Sequence, residues 1–102
     1  MKLTDHQIEE VQRQTGGLPI PESSTEFEIL RGAFGDDSFY AATTGIIVWE
    51  WKEDHLAPVR EAVAVQVATW RNRDAFEIVK IPRRRTQAVI RLPVSGIGIR
   101  SG

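Results

Sequence analysis

The chain has 102 residues, 41% of them hydrophobic and 26% charged, and a formal net charge of −1. This composition is typical of a single globular domain and excludes collagen-like, disordered and low-complexity proteins. The lack of cysteine excludes disulfide frameworks, thiol nucleophiles and thiolate-bound zinc. No apolar run approaches the roughly 18 residues of a membrane span. The N-terminus is too polar for a signal peptide, so we expect a cytoplasmic protein that does not contact membranes.

The two halves of the chain carry opposite charge. Residues 1–54 contain 4 basic and 11 acidic residues, which gives −7, whereas residues 55–102 contain 9 basic and 3 acidic residues, which gives +6. Charge complementarity within one fold is the simplest explanation. The alternatives are contact between two copies, or a basic patch for an anionic ligand. The sequence pI of 6.1 argues against nucleic acid as that ligand.

The N-terminal residues predict a first helix. Thr4 and Gln7 have the spacing of a capping box, so the helix extends from Asp5 to about Thr15, where Gly16-Gly17 ends it. Its apolar stripe is narrow, which is typical of a surface helix. Leu18-Pro19-Ile20-Pro21 is then an extended connector, because a residue before proline avoids helical geometry.

A second helix is predicted up to Gly35. Ser23-Ser24-Thr25-Glu26 has the pattern of another capping box, and Phe27, Leu30 and Phe34 follow at helical spacing. Gly32 weakens a helix interior, so a strand through this segment is the alternative.

From Ser38 the apolar period changes to two, which predicts a hairpin. Segments Ser38–Thr43 and Ile46–Lys52 flank a turn at Thr44-Gly45, a pairing that sets Tyr40 opposite Trp49. One face of the hairpin then carries Tyr40, Ile47, Trp49 and Trp51, and the other carries Phe39, Ala41, Ile46 and Val48. Neither face is polar.

The segment Ala62–Trp70 fits two patterns. Apolar residues recur at helical spacing after Pro58, whereas Val63, Val65 and Val67 alternate as in a strand. Because β-branched residues favour extended backbone, we predict a strand, with the helix as the alternative.

The rest of the chain predicts two more strands. A turn at Asn72 precedes a strand over Ala75–Ile81, and a turn at Pro82–Arg85 precedes the last strand, Thr86–Leu92. In the register that gathers apolar residues, one core face comprises Val63, Val65, Val67, Thr69, Phe76, Ile78, Ala88, Ile90 and Leu92.

The same register sets Glu77 opposite Arg91 as an oppositely charged pair. The predicted fold is therefore α+β: one or two N-terminal helices packed on one face of a mainly antiparallel meander of about five strands. We expect a single domain over residues 1–102, with a helical part at 1–35, the sheet at 36–93, and a C-terminal tail or edge strand at 94–102.

An acidic group is the candidate metal site. The predicted hairpin brings Asp36 and Asp37 to the same end as Glu53, Asp54 and His55. Carboxylates with one imidazole are ligands for Mg²⁺, Mn²⁺ or Ca²⁺. Ordinary polar loop ends have the same composition, and that interpretation is favoured.

Two arginine groups are candidates for binding an anion or an acidic partner. Arg71 and Arg73 lie in one predicted turn, and Arg83, Arg84 and Arg85 lie in the next. Arginine binds phosphate and carboxylate groups well. The alternative is that these arginines are solvated residues that discourage pairing at a sheet edge.

The second apolar face of the sheet is the candidate interface. Two short helices offer too little apolar surface to cover both faces, which leaves Tyr40, Trp49, Trp51, Val79 and Val89 as an exposed patch. We expect a homodimer through this face. The alternative is a ligand pocket between sheet and helices lined by the three aromatic residues.

No residue pattern predicts catalysis. The sequence has only two histidines, no G-x-S-x-G nucleophile motif and no dinucleotide fingerprint, so no cofactor is expected. The sequence favours a small interaction or regulatory module that acts through protein–protein contacts. A small-ligand binder or small enzyme is the second hypothesis, and nucleic-acid binding through the arginines is the third.

Overall fold

The computed structural model describes residues 1–52 and 59–94. In chain order the elements are α1 (Asp5–Thr15), α2 (Thr25–Phe34), β1 (Tyr40–Ala41), β2 (Gly45–Trp51), β3 (Val59–Asn72) and β4 (Glu77–Pro93). The four strands form one antiparallel sheet in the order β1-β2-β3-β4. The predicted α+β class and the meander are confirmed, with four strands in place of about five.

α1 forms where its capping residues indicate, and α2 begins one residue later than the predicted capping box at Ser23–Glu26. The Thr4 hydroxyl accepts from the Gln7 N–H at 3.2 Å, and the Gln7 side chain accepts from the Thr4 N–H at 2.9 Å. Gly16 then ends α1 in the left-handed conformation. In α2 the cap is Ser24, whose hydroxyl accepts from the Phe27 N–H at 3.1 Å.

The two helices lie on opposite faces of the sheet, so the prediction that they share one face is wrong. From Ala62 to Val65, successive residues of β3 point to opposite faces and belong alternately to two separate clusters. The cluster on the α2 face comprises Phe27, Leu30, Phe39, Ile46, Val48, Val63, Val65, Val67 and Ala68. The cluster on the α1 face comprises Leu3, Val11, Tyr40, Trp49, Ala62, Ala64, Ile90 and Leu92. Because both faces are apolar and each helix has one narrow stripe, each face receives one helix.

The first hairpin turns one residue earlier than predicted. Ala42 and Gly45 exchange backbone hydrogen bonds of 2.7 and 3.3 Å around the turn, and Tyr40 lies opposite Ile47. This shifts the register by two residues, which leaves every side chain on its predicted face. Glycine is required at position 45, because a Cβ there would lie 1.9 Å from the Ala68 carbonyl oxygen.

The predicted strand over Ala62–Trp70 is confirmed within β3, but the predicted turn at Pro82–Arg85 is wrong. These residues lie inside β4, with Arg84 opposite Gln66 and Arg85 opposite Val65. An outer strand accepts Pro82, since its outward side needs no N–H for a neighbouring strand.

Two bulges explain why the turn signal failed. Residues 81–83 of β4 stand opposite Val67 alone, and residues 86–88 stand opposite Ala64 alone. Within the second bulge the Thr86 hydroxyl donates to the Ala64 carbonyl at 2.9 Å and accepts from the Ala88 N–H at 3.1 Å. The Thr86 hydroxyl thus supplies hydrogen bonds where the backbone ladder between β3 and β4 is interrupted.

The long strand also changes which residues pair. Glu77 lies opposite Asn72, and Arg91 lies opposite Glu61, so the predicted Glu77–Arg91 pair does not form. The predicted nine-residue core face divides, because Ile90 and Leu92 pack on the α1 face while the β3 valines pack on the α2 face.

None of the helices in the described part of the chain is both long and apolar enough to cross a membrane. The expected tail or edge strand lies beyond residue 94, outside the described residues.

Candidate functional site

β4 is an outer strand of the sheet, and its C-terminal end is closed by α1. The Gln14 side chain donates to the Arg91 carbonyl at 2.6 Å and accepts from the Arg91 N–H at 3.0 Å. Gln7, which is buried, donates to the Pro93 carbonyl at 2.7 Å. Two glutamines of one helix therefore occupy the backbone groups that another strand would otherwise pair with.

The middle of β4 is open and strongly basic. Lys80, Arg83, Arg84 and Arg85 are all exposed, and no element among residues 1–52 and 59–94 pairs with the outer side of this segment. We name these four residues the basic edge. It spans both faces of the sheet, because Arg85 lies opposite Val65 on the α2 face and Arg84 lies opposite Gln66 on the α1 face.

A buried glutamine anchors the basic edge. Gln66 is 3% exposed and accepts from the Arg84 guanidinium at 2.9 Å. Its amide nitrogen donates to the Thr44 and Ala68 carbonyls at 3.2 and 3.1 Å, which fixes the direction of its oxygen. Arg84 is consequently held in place by a group that carries no charge.

The other cations of the basic edge are also held. Arg85 donates to the Lys52 carbonyl at 3.2 Å. Lys80 donates to the Ala33 carbonyl at 3.3 Å, beside the negative end of the α2 dipole. Arg83 forms an ion pair with Glu50. Within the described residues, Arg83 is therefore the one member of the basic edge with an acidic partner, and the other three keep their charge uncompensated.

An apolar cleft adjoins the basic edge. It has a volume of about 460 Å³ and is lined by Thr69, Ile81, Pro82, Arg83 and Arg84. The first bulge of β4 supplies three of these residues. The site thus combines fixed positive charge with an apolar recess, which suits an anionic ligand that has an apolar group.

The two predicted arginine groups differ in the structure. Arg71 lies near the end of β3 and Arg73 lies in the β3–β4 turn, with its guanidinium 5.7 Å from the centre of the Trp70 ring. The group from 83 to 85 is in mid-strand instead of a turn. Gln66 was missed from sequence, although a single amide within the apolar run Val63–Ala68 was the signal available.

The aromatic residues do not form the predicted exposed patch. Tyr40 and Trp49 are 4% and 3% exposed, because α1 covers them. Trp51 is half-buried and stacks with the Arg60 guanidinium, which lies 4.4 Å from its ring centre. The uncovered face from which the homodimer was predicted is thus largely covered within one chain.

Val79 and Val89 are exposed but lie on opposite faces. Val89 is opposite Val63, on the α2 face. Val79 follows Ile78, which packs against the α2 cluster, so Val79 points to the α1 face. They therefore belong to no common patch.

The Tyr40 hydroxyl and the Trp49 indole nitrogen, both on the α1 face, are buried without a hydrogen-bond partner in the described structure. Burial raises the pKa of the Tyr40 phenol to about 12. Both residues serve packing, at the cost of one unsatisfied group each.

Asp36 and Asp37, the two described members of the predicted metal site, are already paired with cations. Asp37 accepts from the N-terminal amine at 3.1 Å, and Asp36 accepts from Lys2 at 3.3 Å. The remaining candidates of that predicted site, Glu53, Asp54 and His55, lie outside the described residues. Residues 1–52 and 59–94 contain no group of three histidine or acidic side chains placed to hold a metal ion.

No protein-family model, curated protein or solved structure matches this chain. Function is therefore inferred from the geometry of the site alone.

Proposed function

We propose that the protein is a small binding module that captures an acidic protein segment on the basic edge. The observation that carries the proposal is that Lys80, Arg84 and Arg85 are positioned by neutral oxygen atoms. Their charge is free for a ligand, and the side-chain ordering that binding requires is already made.

The apolar cleft favours an acidic ligand that also carries an apolar side chain. Ile81 and Pro82 offer apolar contact directly beside Arg83 and Arg84. A segment with an apolar side chain between carboxylates would fill the cleft and neutralise the guanidinium groups together. Arginine binds carboxylates through charge-assisted hydrogen bonds.

Nucleic acid is a less suitable ligand for the basic edge than an acidic protein segment. The chain has a net charge of −1, and residues 1–54, which include both helices, carry most of its acidic side chains. A polyphosphate chain long enough to gain affinity would meet this negative charge beyond the basic edge.

The proposal is tested with a short fluorescein-labelled peptide that has glutamates on both sides of one isoleucine. We expect saturable binding by fluorescence anisotropy that weakens as NaCl rises from about 50 to about 500 mM. The variant with Arg84→Gln and Arg85→Gln should bind about tenfold more weakly, since it loses two charged contacts.

A matched control removes the same charge at the closed end of β4. Arg13→Gln with Arg91→Gln should leave peptide affinity within about twofold of the unsubstituted protein, because neither residue lines the cleft. Equal losses in both variants, or tighter binding of a short single-stranded DNA than of the peptide, would overturn the proposal.

A further inference from the structure

We propose that the acidic segment bound by the basic edge is α2 of a second copy of this chain. The inference rests on the proposed function and names its partner. It follows from the complementarity of two surfaces of the same molecule, one on α2 and one on β4.

The outward surface of α2 presents an apolar side chain between two carboxylates, as the ligand proposed for the cleft does. Ile29 is 48% exposed although it is a large apolar residue. At 100° per residue around the helix, Ile29 lies between Glu26 and Glu28, both of which are exposed. Neither carboxylate is paired with a cation in the described part of the structure. Gly32, one turn further along, adds no side chain that would hinder close approach.

The cleft beside the basic edge mirrors this arrangement. Ile81 and Pro82 supply the apolar centre, and Arg83 and Arg84 supply the charged rim. Ile29 of one copy placed in the cleft of another would set its flanking glutamates next to the guanidinium groups. Such a contact buries apolar surface at its centre and keeps charge at its edge, as protein interfaces do.

The basic edge also contacts the C-terminal end of α2 within one molecule. Lys80 of the basic edge donates to the carbonyl of Ala33, in the last turn of α2, and its ammonium lies 5.3 Å from the centre of the Phe34 ring. Adjacent patches of opposite charge can pair with their equivalents about a two-fold axis, so that each contact forms twice. This geometry favours a closed dimer.

Sedimentation across a concentration series tests the inference. At low salt we expect the mass to rise with concentration from 11.5 kDa towards about twice that value, and to fall again as NaCl is added. Ile29→Ser should remain at the monomer mass. Leu18→Ser is the matched control, because Leu18 is another exposed large apolar residue but lies outside α2 and the cleft. It should associate like the unsubstituted chain.

A charge exchange makes the test specific for the two surfaces. Glu28→Arg and Arg84→Glu should each prevent association when alone, while circular dichroism shows that both variants are folded. An equimolar mixture should recover dimers, because one contact is unsubstituted and the other has both charges exchanged. Unchanged association of either single variant, or no recovery in the mixture, overturns the inference.

The outcomes separate this inference from the proposed function. A chain that binds the acidic peptide but stays at the monomer mass at every concentration overturns the second-copy inference alone. A chain that neither binds the peptide nor associates overturns both. Peptide that displaces the dimer to monomers supports both, since peptide and α2 would then share one cleft.

Discussion

The C-terminal end and the middle of β4 expose the same kind of unpaired strand edge and protect it in different ways. An outer strand exposes backbone N–H and C=O groups to which another strand can pair. Near Arg91, glutamine side chains of α1 occupy these groups. Around Lys80–Arg85, the strand instead carries a bulge, a proline and charged residues, all of which discourage strand pairing. The first solution closes the edge, whereas the second leaves it accessible to side chains, and the proposed binding function uses that accessibility.

The largest expected contrast lies between Leu92 and Val79. Leu92 is fully buried under α1, and Val79 is 39% exposed. Leu92→Ala should lower the free energy of unfolding by about 3 kcal/mol through lost burial and the cavity left behind. Val79→Ala should change it by about 0.5 kcal/mol or less. Urea denaturation measures both, and similar losses would show that the two ends are equally packed.

The next largest effect is expected for Gln66, the anchor of the basic edge. Gln66→Ala leaves the Thr44 and Ala68 carbonyls without their donor, which should cost about 2 kcal/mol of stability. It should also weaken binding of the acidic peptide, because Arg84 loses its acceptor. Gln87→Ala, at an exposed glutamine of β4, serves as the control and should affect neither quantity. Intact peptide affinity in a folded Gln66→Ala variant would contradict the anchoring role.

A smaller effect on stability is expected where α1 covers the outer edge of β4. Gln14→Ala removes both hydrogen bonds to the Arg91 backbone and should cost about 1 kcal/mol. Native-state hydrogen exchange should show faster exchange of the Arg91 amide. Gln12→Ala, on an exposed position of the same helix, should leave that amide unchanged. Equal exchange in all three proteins would mean that the glutamine does not close the edge.

The smallest effect at neutral pH concerns Tyr40, on the α1 face. The folded protein holds the phenolic proton more tightly than the unfolded chain, because burial raises the pKa to about 12 from an ordinary value of about 10. Stability from this group is therefore complete below about pH 10 and is lost as the pH rises through about 12. Tyr40 is the one tyrosine of the chain, so tyrosinate absorbance reports its titration directly.

Tyr40→Phe should remove this alkaline loss and leave stability at pH 7 equal or slightly higher, because the buried hydroxyl has no partner in the described structure. A clear loss of stability at pH 7 would show that the hydroxyl is hydrogen-bonded after all. Thermal unfolding at neutral and alkaline pH separates these outcomes.

Local signals predicted the helices and the first hairpin well, for identifiable reasons. Thr4 and Gln7 act within the first turn of α1 and Gly16 acts at its last turn, so local spacing alone locates the two ends. Alternation likewise assigned Tyr40 and Trp49 to one face even though the turn was misplaced. The candidate site was only partly predictable: the arginines were identified, but their neutral anchors and the cleft were not.

The sequence by itself determined which segments are helical or extended and which side chains alternate together, because these properties depend on neighbouring residues. Tertiary structure decided that Pro82–Arg85 continues a strand: pairing with β3 through two bulges outweighs a local turn signal. It also decided that α1 and α2 cover opposite faces, and hence that the tryptophan side is largely buried while the basic edge is open. These outcomes depend on contacts between residues distant in sequence, and the local periodicity of apolar residues does not predict such contacts.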